Sequence, residues 1–173
     1  MKLGIIIGFI FALGVALAAL PSLKSTYVVK DRSNRPSPPR IITGAEVHAA
    51  DIPAIVAAMA RSTAPLRYAA FMFSTPDRPA DAINLQVSVE NGKIGFDWIL
   101  LAPRNIEDRE KFMSFVRAEG FQPVAETMNR VSYLRIESAD AARIAADIVT
   151  RMYGRPANEP LGLFHEGFDW PQT

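Results

Sequence analysis

The chain has 173 residues, 49% of them hydrophobic, with 19 Lys and Arg, 18 Asp and Glu, two His and no Cys. That length supports one domain of ordinary size plus an appendage, and the absence of Cys excludes disulfides and thiolate metal sites. Charge is unevenly placed: residues 22–40 carry Lys24, Lys30, Arg32, Arg35 and Arg40 against Asp31, a net +4, whereas residues 41–173 hold 13 Lys or Arg against 17 Asp or Glu, a net −4 that argues against a nucleic-acid partner.

Met1 and Lys2 precede residues 3–20, LGIIIGFIFALGVALAAL, which contain no charge. Residues 1–21 read as a transmembrane anchor or as a cleaved signal peptide ending at Ala16-Leu17-Ala18. The run exceeds the ~7–15 residues of a usual signal core and approaches the roughly 20 that cross a bilayer, which favours the anchor. The positive-inside rule and the short N-terminus with Lys2 give opposite orientations. Gly4 and Gly8 form a small-residue pattern compatible with helix pairing and homo-oligomerisation. Residues 22–40 form a basic linker that suits an anionic membrane surface, and the Pro-rich run 31–39 within it is a spacer unable to join a sheet.

The domain proper is residues 41–154. Thr43 with Glu46 caps a short helical turn, and Asp51 with Pro53 opens a helix whose inner stripe is Ile52, Ile55, Val56 and Met59. Residues 68–74 (YAAFMFS) form a buried strand. Asn91-Gly92 then sits between two apolar runs, and it is the strongest local signal in the chain, because a type I′ turn needs φ > 0 at both central positions. This hairpin pairs Glu90 with Lys93, Val89 with Ile94, Val87 with Phe96, Leu85 with Trp98 and Ile83 with Leu100. Asn84, Gln86, Ser88 and Asp97 lie on its other face. The second strand continues through Ile99, Leu100 and Leu101, apolar on both faces, which places it more centrally than the first.

Pro103 breaks the sheet, and Asn105 caps a helix with Ile106, Phe112, Phe115 and Val116 inward and Gly120 as its stop. Residues 121–126 and 130–137 form two strands around Met128-Asn129, the second with Val131, Tyr133 and Ile136 alternating and Leu134 out of period. Ser138 caps a last helix with Ala141, Ile144, Ala145, Ile148, Val149 and Met152 inward, Arg143, Asp147 and Arg151 outward, and Gly154 at its end. Residues 155–173 form an aromatic tail packed on the domain.

The expected fold is a two-layer α+β domain in the order α-β-β-β-α-β-β-α, with a mainly antiparallel five-stranded sheet and helices on one face, preceded by the apolar membrane segment. In topology alone, this order resembles that of type III secretion chaperones and related small peptide-binding domains.

No nucleophile-elbow, zinc-protease, P-loop or dinucleotide motif is present, so no cofactor or metal is expected. Gly-Phe-Asp-Trp occurs twice, at residues 95–98 and 167–170. The expected function is a membrane-tethered, non-enzymatic protein- or peptide-binding domain with an accessory, chaperone-like or immunity-like role. Its contact residues are Phe164, Phe168 and Trp170, with Asn84, Gln86, Ser88 and Asp97 second. The alternatives are an exported hydrolase using His165 with Glu166 or Asp169, and a structural envelope protein.

Overall fold

The computed structural model describes residues 26–29, 40–43 and 45–170, with side chains described from Glu46 onward. The apolar segment 3–20 and the Pro-rich run 31–39 lie outside the described residues. Among the described residues, no helix is long and apolar enough to cross a membrane.

From the basic linker, β1 (Thr26–Val29) pairs antiparallel with β2 (Arg40–Thr43), which runs from the linker's last residue into the expected start of the domain. All later strands form one antiparallel sheet: β3 (Ala45–His48), β4 (Arg67–Thr75), β5 (Arg78–Glu90), β6 (Lys93–Ile99), β7 (Val124–Met128), β8 (Val131–Glu137) and β9 (Pro160–Glu166). Their spatial order is β3-β9-β4-β5-β6-β8-β7. The fold is therefore α+β with a seven-stranded antiparallel open sheet and helices packed on it.

Two strands exceed the expected five. The residues read as a capped turn at Thr43 and Glu46 enter strands instead, and the tail supplies β9, inserted between β3 and β4. The alternation in Leu161-Gly162-Leu163-Phe164 is real, since Leu161 and Leu163 are buried in the main core. A glycine and a second-face Phe obscure it in the sequence.

The hairpin forms as expected. Asn91 and Gly92 have φ of 51° and 79°, and the ladder runs from Glu90↔Lys93 through Val89↔Ile94 and Val87↔Phe96 to Gln86↔Asp97. It is β5, the first strand, that occupies the centre of the sheet. The second strand ends at Ile99, and Leu100 and Leu101 turn away, so Ile83 has no ladder partner at Leu100.

Helix α1 (Ile52–Arg61) buries the four expected stripe residues. The next helix is broken into α2 (Pro103–Glu107) and α3 (Arg109–Ala118) at Asp108. Asn105 is not a cap: it is fully buried and bonded to the sheet. Turning Asn105 inward leaves its neighbour Ile106 facing solvent, 52% exposed, and the inner face of α3 is Phe112, Met113 and Val116. The last helix, α4 (Ala141–Asp147), runs into a π-helical turn, Ile148–Met152, where the Tyr153 N–H reaches the Ile148 carbonyl at 3.0 Å.

These helices cover the sheet face that carries Phe71, Leu85, Val87, Phe96, Trp98 and Leu134. Trp98 stacks on Phe112 at 4.7 Å and 6°, and its indole N–H donates to the Asn105 carbonyl at 2.9 Å. In β8 Leu134, expected out of period, joins this core with Ile136, and Tyr133, expected to alternate with Ile136, points to the opposite face with Arg135.

Candidate functional site: the polar face of the sheet and its open edge

The second face of the sheet was expected to be an open polar surface. Asn84, Gln86, Ser88 and Asp97 do lie on it, but all four are buried, Asp97 at 0% exposure. What closes over them is the sheet itself together with Arg135.

Four strand spacings separate β4 from β7, about 19 Å in a flat sheet. Met128 of β7 nevertheless packs against Tyr68 and Ala70 of β4, together with Leu66 and Phe164. The sheet therefore curls around this face. Small residues at its centre, Ala70, Ser88 and Gly95, leave room for the curl.

Arg135 fills that room. A Cβ on Gly95 would stand 2.6 Å from the Arg135 Cζ, so the guanidinium lies flat across the glycine of the neighbouring strand. Its Nη1 donates to Asp97 Oδ1 at 2.6 Å and to Ser88 Oγ at 2.9 Å, and Nη2 donates to the Lys93 carbonyl at 3.2 Å. Ser88 in turn donates to Asp97 Oδ2 at 2.5 Å, and Gln86 donates to the same oxygen at 3.4 Å. Asp97 thus accepts from three side chains on the two strands that flank its own, Gln86 and Ser88 of β5 and Arg135 of β8.

Two more carboxylates approach this pair. Glu90 stands 3.5 Å from the same Nη1, and Glu126 accepts from the Tyr133 hydroxyl at 2.9 Å. Burial pushes the Asp97 carboxyl above the usual carboxylate range, against the pull of Arg135. Burial, and then the charge of Asp97, push Glu90 up as well. Burial opposes the charge on Arg135, yet Asp97 and then Glu90 hold its pKa above the ordinary value. Burial and the bond to Glu126 raise the Tyr133 hydroxyl.

At the rim of this face runs β7, which pairs only with β8 among the described residues. It is an outer edge, with Val124 60% exposed and Glu126 and Met128 turned toward the polar face. An edge strand of this kind offers unpaired backbone groups to another chain.

The aromatic tail is largely absorbed by the fold. Phe164 is half-buried and packs with Tyr68 and Ala70, while Phe168 and Trp170 pack against the main core. Gly167 has φ +80°, and a Cβ there would overlap the Leu66 carbonyl. The Ser62 hydroxyl pins the same residue by donating to its carbonyl at 2.5 Å. The two Gly-Phe-Asp-Trp copies are thus unrelated in use: the first seats an arginine and a core pair, and the second turns the chain over the end of α1.

His165 and Glu166 alternate along β9 and so point to opposite faces. The half-buried His165 ring lies 4.8 Å from Phe168. Burial pushes its pKa down, opposed by the Phe168 backbone and the charge of Asp169. Asp97 is across the sheet from it, and Glu159 is taken by Arg155 at 2.7 Å. His48 lies 3.5 Å from Asp51 at the start of the first helix. Among the described residues, no group of three or more His, Asp and Glu is arranged to hold a metal.

Arg135 and Glu126 escaped the sequence reading, and Tyr133 and Asn105 entered it only as a strand residue and a helix cap. A signal was present for one of them: an arginine between Leu134 and Ile136, inside an apolar strand, demands a buried acid, and Asp97 is the acid inside the other central apolar run. In comparisons with models of protein families, with curated proteins and with solved structures, the chain matches none.

Proposed function

We propose that the chain is a membrane-tethered, non-enzymatic domain that binds an extended segment of a partner protein along β7, with residues 3–20 as the tether and the basic linker lying against the bilayer surface. A partner strand added to β7 would extend the sheet by backbone hydrogen bonds, and alternate side chains would reach the rim of the polar face. Phe164 and Met128 form the apolar part of that rim. Asn84, Gln86, Ser88 and Asp97 hold its floor in place, and Phe168 and Trp170 buttress the strand that carries Phe164.

The observation that carries this reading is where the negative charge lies. Among the described residues, Glu46, Glu90, Asp97, Glu126, Glu137 and Glu166 share the polar face by strand register with Lys93 and Arg135. That is a net −4, equal to the whole excess of residues 41–173. The partner segment is therefore cationic, and its association should weaken steeply with salt.

The test uses the full chain in detergent micelles with two synthetic peptides, one alternating Lys with Val and one alternating Glu with Val. The Lys peptide should bind, protect the amides of residues 124–128 from hydrogen exchange and lose affinity on Glu126→Lys. No binding, or equal binding of both peptides, would sink the reading.

A further inference from the structure

We infer that the strand added to β7 is β1 of a second copy of this chain, so that copies join head to tail along one membrane surface. This rests on the reading of β7 as the binding edge and deepens it by naming the occupant.

The chain itself carries a segment of the chemistry that β7 selects. Residues 24–30 read Lys-Ser-Thr-Tyr-Val-Val-Lys, with a cation at each end and no acid. Its centre, Thr26–Val29, is already a strand. Side chains alternate along a strand, so an extended segment sets Lys24, Thr26, Val28 and Lys30 on one side and Ser25, Tyr27 and Val29 on the other. Laid against β7 with its lysines toward the polar face, the segment brings them to the side that carries Glu126, and Tyr27 and Val29 to the side of Ala125 and Thr127. The Tyr133 hydroxyl donates to Glu126 Oε2 at 2.9 Å and holds that carboxylate at the rim. The linker that contains the segment has a net charge of +4, against the net −4 of the polar face.

Both strands have an edge to offer. Among the described residues, β1 pairs only with β2, and the two form a sheet separate from the large one. A two-stranded sheet is marginal in water by itself and gains from a third strand. Among the same residues, β7 pairs only with β8. Joining β1 to β7 therefore covers two open edges at once.

Within one chain the two strands belong to opposite ends of the topology. Gly44 alone separates β2 from β3, which is the outer strand at the other end of the sheet order from β7. A donor at one end and an acceptor at the other make a heterologous contact, which runs on from copy to copy unless its rotation closes a ring. The symmetrical alternative, β7 against a second β7 centred on residue 126, would set the two Glu126 carboxylates directly opposite, and like charges in that position destabilise a strand pair. Glu126 thus disfavours the symmetrical pairing and favours the lysine-flanked strand. With residues 3–20 as the tether, both copies stand on one bilayer, which raises the effective concentration of each strand for the other.

The test mixes heavy-isotope-labelled and unlabelled full chain in neutral detergent micelles and adds a carbodiimide, which joins a carboxylate to an amine in direct contact. Mass spectrometry should find Glu126 linked to Lys24 or Lys30 in mixed-isotope pairs, whereas Lys93 and Glu137, 2.7 Å apart within one chain, should give same-isotope links. By hydrogen exchange, residues 26–29 and 124–128 should gain protection together as chain concentration rises, and residues 45–48 should not. Lys24→Gln combined with Lys30→Gln should abolish the gain at 124–128, and Lys24→Arg combined with Lys30→Arg should keep it. Glu126 links confined to same-isotope pairs, protection of 124–128 that ignores concentration, or a gain that survives in the Gln pair would overturn the inference. If the synthetic Lys peptide protects 124–128 while the chains do not associate, the second copy falls and the binding edge stands. Association of the chains with no binding of that peptide would support the second copy and sink the assignment to a separate partner protein.

Discussion

Replacing Gly95 with Ala should destabilise the domain through Arg135 and not through the backbone. The added Cβ would lie 2.6, 2.7 and 3.0 Å from Cζ, Nη2 and Nη1, three atoms of one rigid plane. The tip of a surface arginine would move aside at little cost. This one is buried, and it is fixed by Asp97, Ser88 and the Lys93 carbonyl. If the guanidinium shifts while keeping Asp97, the cost is that of overpacking, about 1–3 kcal/mol. If the pair breaks, it approaches the roughly 3–5 kcal/mol of an uncompensated buried charge. The Gly→Ala change returns about 0.4–1 kcal/mol by restricting the unfolded chain. The expected net loss is about 2–3 kcal/mol, a large fraction of the ~5–15 kcal/mol typical of a domain. Urea unfolding of the full chain in micelles would show it as a lower midpoint at unchanged slope. The decisive arm is the cycle with Arg135→Met: in that background the Ala should become neutral or favourable by the entropic term. An equal penalty in both backgrounds would show that Gly95 is required for some reason other than Arg135.

Three further substitutions probe separate joints. Arg130, in the turn between β7 and β8, has φ +70°, where a side chain costs roughly 1–2 kcal/mol; Arg130→Gly should raise the urea midpoint by the equivalent of about 1 kcal/mol, and a lower midpoint would refute the strain. Asn105→Ala should cost about 2–4 kcal/mol, because it strips the Asn84 N–H (2.9 Å) and carbonyl (2.7 Å) of buried partners, and Asn105→Asp, which sets a buried carboxylate against the Asn84 carbonyl, should cost at least as much at neutral pH; near-native urea midpoints for both would remove the proposed role. Combined Phe168→Ala and Trp170→Ala should destabilise the domain by several kcal/mol, since both rings pack on the core; near-native stability by thermal melting would return them to the list of contact residues.

The strongest local signals carried through to the fold. Asn91-Gly92 set the hairpin register down to Gln86↔Asp97, and the stripe Ile52, Ile55, Val56, Met59 became the buried face of α1. In both cases the information is short-range: a turn that needs positive φ, and a period of 3.6 residues. Arg143, Asp147 and Arg151 likewise pair along one helix face, at 3.0 and 3.3 Å. The helix over 105–119 was legible as a helix but not as two, because the break serves Asn105, whose partner is 21 residues away.

What the residues determined alone was the Asn91-Gly92 hairpin, the buried stripe of α1, the membrane-length apolar run and the charge asymmetry between linker and domain. What only the tertiary structure decided was which polar residues are buried. Asn84, Gln86, Ser88 and Asp97 alternate with apolar neighbours as a solvated face would, and nothing local distinguishes that face from one closed by its own sheet. The curl that brings Met128 to Tyr68 and the insertion of residues 160–166 between β3 and β4 depend on contacts across much of the domain. Pairing at such separations is set by how a whole sheet buries its surface, and no window of the sequence contains it.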